Sequence, residues 1–384
     1  MSTDCSFDHQ LNDFLNELES EGCVALKHIG QLRNIKLNQE VLALSKKQPE
    51  KVLTLAQYVT KLINEEQLEK GREKLASEAS TFMKIRQLGL NVDPHILCAI
   101  WGVETKYGSV RGSYFTPEAL ATLAFAGCRR NKFFLRNFAA AIAILQTEVV
   151  NPDCFLGSWA GAMGHTQFMP ETYLRWGIDI STKDRANIWE DDPQDALAST
   201  ANYLKHLGWE SDQDVLIQVH LSTPQNYYEA NTQQKDLIKN WVAKGVEFLE
   251  APCPISQQEC AIITPAGKEG PAFAIFANFE ILLRYNKSLP YAITVSQLSK
   301  ELAGGSKINS EWPQADQCLS LAEMELLQTY LVKLGFDTGG IDGLLGPRTT
   351  RSIQAFQSAI GEIPDGYPSQ HLLNHVRSQA SFGP

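Results

Sequence analysis

From Asp8 to Leu207 the apolar residues recur mainly at helical spacing, and just past Leu207 that pattern stops. Pro94, Pro117 and Pro170 stand where a first helical turn tolerates a missing N–H, and Asp93 and Thr116 precede two of them as N-cap candidates. Between Asp212 and Phe279 the chain turns to short β-rich runs, VLIQVHL from Val215 and AIITPAG from Ala261, separated by Gly, Pro and polar clusters. Helical spacing resumes from Asn278 to Leu302, and AGGSKINSEWPQADQ from Ala303 has the Gly, Ser and Pro content of a linker. The expected organisation is therefore a helical domain over residues 1–302 with a small β-containing insertion at about 212–279, a linker at 303–317, and a separate small unit at 318–384. The fold class is α-rich α+β.

Composition narrows the function classes. With 43% hydrophobic residues the chain can build a sizeable core, and no stretch approaches the roughly 18 to 20 uncharged apolar residues that cross a bilayer, so no transmembrane segment is expected. The first turns carry Asp4, Asp8, Asp13, Glu17, Glu19 and Glu21, where a signal peptide needs a basic start and an apolar run. If the protein is exported, its signal is expected to have been removed from this sequence. Forty-four acidic against 34 basic side chains leave a formal charge of -10, which argues against nucleic acid as a partner. The eight cysteines contain no CxxC pair and no Cys/His cluster at zinc spacing. Cys253 and Cys260 bracket a Pro-containing stretch and suit a disulfide in an oxidising compartment, while buried free thiols account for the cysteines equally well.

The segment PHILCAIWGVETKYG from Pro94 carries the first chemistry. Glu104 lies three and four residues after Trp101 and Ile100, which places it on their face of a helix. A carboxyl held against an aromatic and an aliphatic neighbour has its charged form disfavoured, as a general acid near neutral pH requires; the alternative is a residue at the edge of a buried stripe that reaches water. Glu118 and Glu171 each follow a first-turn proline, where the helix dipole explains an acid. One well-placed carboxyl points to a substrate-assisted route rather than the usual pair. A second segment, GSWAGAMGHTQFMP from Gly157, reads as a Gly-rich loop whose backbone approaches a ligand, with Ser158, Gln167 and Met163 lining a cleft. His165 reads as an ordinary loop histidine, without metal-ligand spacing to another group.

These segments resemble the lytic murein transglycosylase B family, whose fold is related to goose-type lysozyme. The resemblance covers about Phe7 to Leu302 and includes two further blocks, ATLAFAGCRRNKFF from Ala121 and NFEILLRYNKSLPYAITV from Asn278. It implies a lysozyme-like helical catalytic domain in which Glu104 is general acid and base. It also implies that Ser158, Gln167, Asn286 and Tyr291 surround the muramoyl residue, with Tyr285 and Met163 beside them and Arg129 and Arg130 facing lactyl or peptide carboxylates. Tyr285 and Tyr291 read equally well as core aromatics. The implied reaction is non-hydrolytic cleavage of the MurNAc-GlcNAc bond to give 1,6-anhydro ends. A muramidase using water, or an inert wall-binding scaffold, are the alternatives.

Members of the family can carry an acidic, Gly-containing calcium loop. Here the corresponding stretch, DISTKDRANIWEDDPQD from Asp179, has Lys183 at a ligand position and lacks the turn glycine, so neither calcium nor any other metal or cofactor is expected. LLQTYLVKLGFDTGGIDGLLGPRTTRSIQAFQ from Leu326 resembles a three-helix peptidoglycan-binding domain that, as a tethered module, would raise the local concentration of wall. The implied partners are peptidoglycan glycan strands and stem peptides; cell-wall synthesis or division proteins are not readable. The implied location is periplasmic or outer-membrane-associated.

Overall fold

The computed structural model describes residues 3–22, 26–46, 53–126, 130–181, 184–251, 258–309, 312–313 and 319–382. The helices are α1 (Thr3–Ser20), α2 (Leu26–Arg33), α3 (Gln39–Lys46), α4 (Leu55–Leu62), α5 (Glu65–Ser77), α6 (Ala79–Gln87), α7 (Pro94–Thr105), α8 (Thr116–Phe125), α9 (Asn131–Gln146), α10 (Pro170–Trp176), α11 (Gln194–His206), α12 (Pro224–Glu229), α13 (Ile238–Ala243), α14 (Ala277–Tyr285), α15 (Leu289–Leu302), α16 (Leu321–Lys333), α17 (Pro347–Ala359) and α18 (Gln370–Phe382). The strands are β1 (Tyr114–Phe115), β2 (Leu156–Gly157), β3 (Leu216–Leu221), β4 (Lys235–Leu237), β5 (Val246–Phe248), β6 (Glu259–Ile263) and β7 (Ala272–Ile275). The chain forms two compact units, Met1–Gln48 with Glu66–Gly208, and Pro49–Glu65 with Trp209–Pro384.

In the first unit α8 packs along α9 and also meets α1 and α3, while α10 joins α9 to α11 and α7 leans on α11. Helix α7 shows how sequence sets this arrangement. The Asp93 side chain accepts the His95 N–H, Pro94 occupies the first turn, and the helix begins there. Ile96, Leu97, Cys98, Ala99, Ile100 and Trp101 are all buried, so α7 is apolar on every side and must sit inside the unit. Thr116, by contrast, is not an N-cap. Phe115 takes the cap position of α8 and Thr116 is the first helical residue, its hydroxyl buried without a hydrogen-bond partner.

The second unit is built on a five-stranded antiparallel sheet in the order β4-β6-β7-β3-β5. Its strands β3 and β6 are those expected from VLIQVHL and AIITPAG. Ile217, Val219, Trp241, Ile262 and Ala274 make its core, with α12 and α13 in the connections between its strands. Helix α15 packs on α4, α14 and β3. The C-terminal module has three helices around Leu327, Leu331, Ile353, Phe356 and Val376. Two glutamines organise its turns in the same way: Gln328 binds the Asp342 carboxylate and accepts the Asp342 and Gly343 N–H groups, and Gln357 binds the Asp365 carboxylate and accepts the Gly366 N–H.

The module is docked rather than loosely tethered. Gln354, 1% exposed, donates to the carbonyls of Tyr227 and Ala230, and Asp365 accepts from the Lys268 backbone N–H and the Thr264 hydroxyl. The described start of the expected linker is also strapped down, because Asn309 exchanges two hydrogen bonds with the Gln218 side chain of β3.

Candidate functional site

Glu104 is half-buried in the last turn of α7, and the residues after it explain why the helix ends there. Lys106, Tyr107 and Gly108 all have positive φ, at 49°, 58° and 83°. Two successive non-glycine residues in the left-handed region are uncommon and persist only where their surroundings hold them. Here the Tyr107 hydroxyl donates to the Gln67 carbonyl at 2.9 Å, and the Thr105 hydroxyl accepts the Gly108 N–H at 3.0 Å while donating to the His165 carbonyl at 2.6 Å. Gly108 is required by contact as well, since a Cβ there would lie 2.6 Å from the His165 ring.

His165 is therefore no ordinary loop histidine. It is 3% exposed and joins the end of α7 to the loop that follows β2. Its Nδ1 accepts the Trp101 indole N–H at 3.1 Å, which leaves Nε2–H to donate to the Glu190 carbonyl at 2.8 Å. Trp101 stands edge-on to both His165 and Tyr107, with the Lys74 ammonium 5.3 Å from its ring centre. Burial above all, with help from the Arg111 and Lys74 charges, lowers the His165 pKa to about 4, against opposing effects of the Glu190 carbonyl and Asp191. In the unfolded chain this ring titrates near 6.5, so between pH 6.5 and 4 the unfolded state binds more protons and folding weakens as pH falls. The window corresponds to about 3 kcal/mol at most. Thermal melts at pH 7 and pH 4 are expected to show a larger drop for the wild type than for His165→Gln; equal drops would contradict the linkage.

The Gly-rich loop is packed inward. Added Cβ atoms at Gly157, Gly161 and Gly164 would meet the Ala162 carbonyl, the Leu120 side chain and the Ile188 carbonyl within 2.5 Å. These glycines admit the protein's own atoms, so the expectation that they open a path for a ligand is corrected. Met163 is corrected too: it is 0% exposed, paired with Gly157 and Phe168 by β-bridges, and lines no cleft. Ser158 is half-buried with its hydroxyl accepting the Ala162 N–H at 3.1 Å, which leaves its own O–H as a donor. Gln167, at φ 54°, donates to the Arg111 and Gly164 carbonyls.

The other expected residues are placed as follows. Arg130 is exposed at the start of α9 with its guanidinium 4.2 Å from the Phe133 ring centre, and Arg129 lies outside the described residues. In the second unit Tyr285 and Asn286 are half-buried at the end of α14, whereas Tyr291 is 1% exposed and stacked on Tyr285 at 6.4 Å. Tyr291 is thus a core aromatic, and a direct sugar contact by its ring is corrected. Glu118 and Glu171 are first-turn acids as expected, Glu118 accepting from Asn38 and Glu171 lying 3.5 Å from Arg136. Sequence reasoning missed Arg111, which donates to the Trp189 and Glu190 carbonyls and to the Asp191 carboxylate. It borders a cavity of about 610 Å³ lined also by Leu156, Asn187 and Trp189; Glu104 is not part of that lining.

In its described part the loop after Asp179 turns the Asp179 and Asp195 carboxylates onto its own hydrogen-bond donors. Both oxygens of the buried Asp195 are occupied by the N–H groups of Ile180 and Asn187 and the Ser181 hydroxyl, and Asp179 accepts from Ser181. Lys183 lies outside the described residues. Cys98, Cys154 and Cys260 are free thiols, with burial pushing Cys98 and Cys260 up to about 12; Cys253 also lies outside the described residues.

Residues 6–300 match the family model described as the transglycosylase SLT domain. The chain belongs to this family. Residues 320–375 match a second model, described as a putative peptidoglycan binding domain. Among curated proteins the chain is 34% identical over 212 residues to membrane-bound lytic murein transglycosylase B of Escherichia coli, an alignment spanning 55% of this chain and 57% of that relative. Among solved structures it resembles SltB3 of Pseudomonas aeruginosa in complex with NAG-anhNAM-pentapeptide, at 33% identity and a TM-score of 0.91 over 96% of this chain and 99% of that one. It also resembles the Escherichia coli lytic transglycosylase Slt35 in complex with calcium, at 28% identity and a TM-score of 0.67 over 76% of this chain and 92% of that one. The SLT-domain match contains α7, its terminating turn and the whole Gly-rich loop.

Proposed function

We propose that this SLT-family chain is a peptidoglycan lytic transglycosylase that cleaves the MurNAc-GlcNAc β-1,4 bond and leaves 1,6-anhydro-MurNAc ends. The observation that carries the reading is Glu104, a half-buried carboxyl at the rigid end of α7, in a family one of whose solved members holds an anhydromuramoyl product. Glu104 protonates the glycosidic oxygen while the substrate's acetamido oxygen stabilises the anomeric carbon. The carboxylate then takes the proton of the 6-hydroxyl of the same ring, whose oxygen closes the anhydro bridge; the C–O bond broken is matched by the C–O bond formed and no water enters. A tethered nucleophile gains the effective-molarity advantage of an intramolecular step. In the first unit Ser158 and Gln167 are the polar groups proposed for the sugar, and Arg129 and Arg130 for carboxylates.

The substrate is proposed to be peptidoglycan, with the C-terminal module holding the wall, and the working location periplasmic or outer-membrane-associated. Among the described residues no helix is long and apolar enough to cross a membrane. Calcium is proposed to play no part in the reaction, on the inward-directed oxygens of Asp179 and Asp195. Digestion of purified peptidoglycan, followed by mass spectrometry, is expected to release muropeptides one water lighter than reducing ends, in equal yield with calcium or with a calcium chelator. Reducing ends would make the protein a muramidase, and absence of products would leave a binding scaffold.

A further inference from the structure

We propose that Glu362, His371 and His375 of the C-terminal module form a divalent-cation site suited to Zn²⁺. The two histidines are four residues apart on α18, so both rings lie on one helix face. Glu362 follows the turn that ends α17, fixed by its N–H bond to the Gln357 carbonyl and by Gly361 at φ 76°. One of its oxygens lies 3.5 Å from His371 Nε2 and 3.4 Å from His375 Nδ1, and the three ligand atoms fall within 4.8 Å of one another. Tetrahedral Zn²⁺ with bonds of about 2.1 Å holds neighbouring ligand atoms about 3.4 Å apart. The two oxygen–nitrogen edges, at 3.5 and 3.4 Å, already have that length, and the nitrogen–nitrogen edge is no longer than 4.8 Å.

The donor set also suits the ion. Two imidazoles and a carboxylate are borderline ligands of the kind Zn²⁺ accepts, and three protein ligands leave a fourth position open to water or an external donor. The site is partly built in advance: the His375 ring stands edge-on to Phe356 at 6.0 Å, and Phe356 belongs to the module's core. A bound ion would therefore pin the turn after α17 to α18 and stabilise the module by mass action. Neither the Asp179 loop nor Glu104 takes part, so the inference stands apart from the proposed reaction. The site uses no cysteine: its signal is the helical His-x₃-His spacing, and the carboxylate arrives across a turn.

The test is titration of ZnCl₂ into the full chain by calorimetry, with thermal melts alongside. One saturable site and a raised melting temperature are expected. His371→Ala changes an exposed ring and should preserve the fold while weakening the site by more than about tenfold. Glu362→Gln should do the same, and His9→Ala, which removes the histidine of an exposed His9–Asp13 pair at 3.3 Å, should leave binding unchanged. No saturable zinc binding, or binding undiminished in His371→Ala and Glu362→Gln, would overturn the assignment.

Discussion

Glu104→Gln is expected to abolish measurable release of muropeptides while the protein stays folded and still pellets with insoluble peptidoglycan. Positioned proton transfer contributes about a hundred- to ten-thousand-fold in rate, and here a single group would supply it twice, first as acid and then as base. Glutamine keeps the length and shape of the side chain but can neither give up nor take the proton. The turn that fixes its position is made by Thr105, Tyr107, Gly108 and His165, none of which relies on a carboxylate at position 104 for the bonds described. Unchanged melting with lost turnover is therefore the expected pair of results. Glu118→Gln and Glu171→Gln provide the contrast, since both acids are explained by helix starts and by Asn38 or Arg136. Turnover above a tenth of wild type in Glu104→Gln, or an equal loss in either control, would remove Glu104 from the centre of the reaction.

What the sequence could reveal about this site follows from the distance over which each signal acts. Asp93 and Pro94 start α7 within one turn, so that start is legible locally, whereas the three helices of the C-terminal module are implied by its resemblance to a peptidoglycan-binding domain. The role of His165 is not legible locally. Its partners Trp101, Thr105 and Glu190 are 64, 60 and 25 residues away, and only the folded chain brings them to one ring. The same holds for the loop glycines, whose neighbours Leu120 and Ile188 belong to other segments, and for Met163 and Tyr291, whose burial depends on what packs over them. Thr116 failed as a cap for a local reason: the helix starts one residue earlier than its Thr-Pro pair implies. Docking of the C-terminal module depends on Gln354 and Asp365, polar residues whose partners lie in or beside the sheet and 97 to 127 residues distant.

Gly112→Ala is expected to lower the melting temperature by about 10 °C and to reduce turnover with it. Gly112 has φ 98°, and a Cβ there would sit 2.1 Å from the Gly157 carbonyl carbon and oxygen and 2.5 Å from the Ser158 nitrogen. All three atoms are backbone, so no side-chain rotation relieves the contact. The neighbouring chain has little freedom to retreat: β1 pairs Tyr114 with Gly157 and Phe115 with Leu156, and Gln167 holds the Arg111 carbonyl. Left-handed strain alone costs about 1–3 kcal/mol, and displacing a paired backbone segment adds to it, for a total of about 3 kcal/mol or more. Because the displaced segment carries Ser158, the loop proposed to hold the sugar moves as well. Gly89→Ala separates the two causes, since Gly89 has φ 72° but open space where its Cβ would go. Calorimetric melts should show a small drop for Gly89→Ala and a much larger one for Gly112→Ala. Equal drops would mean that backbone strain is the whole effect and that the close approach of Gly112 to Gly157 relaxes freely, leaving the Ser158 loop less firmly held than its contacts imply.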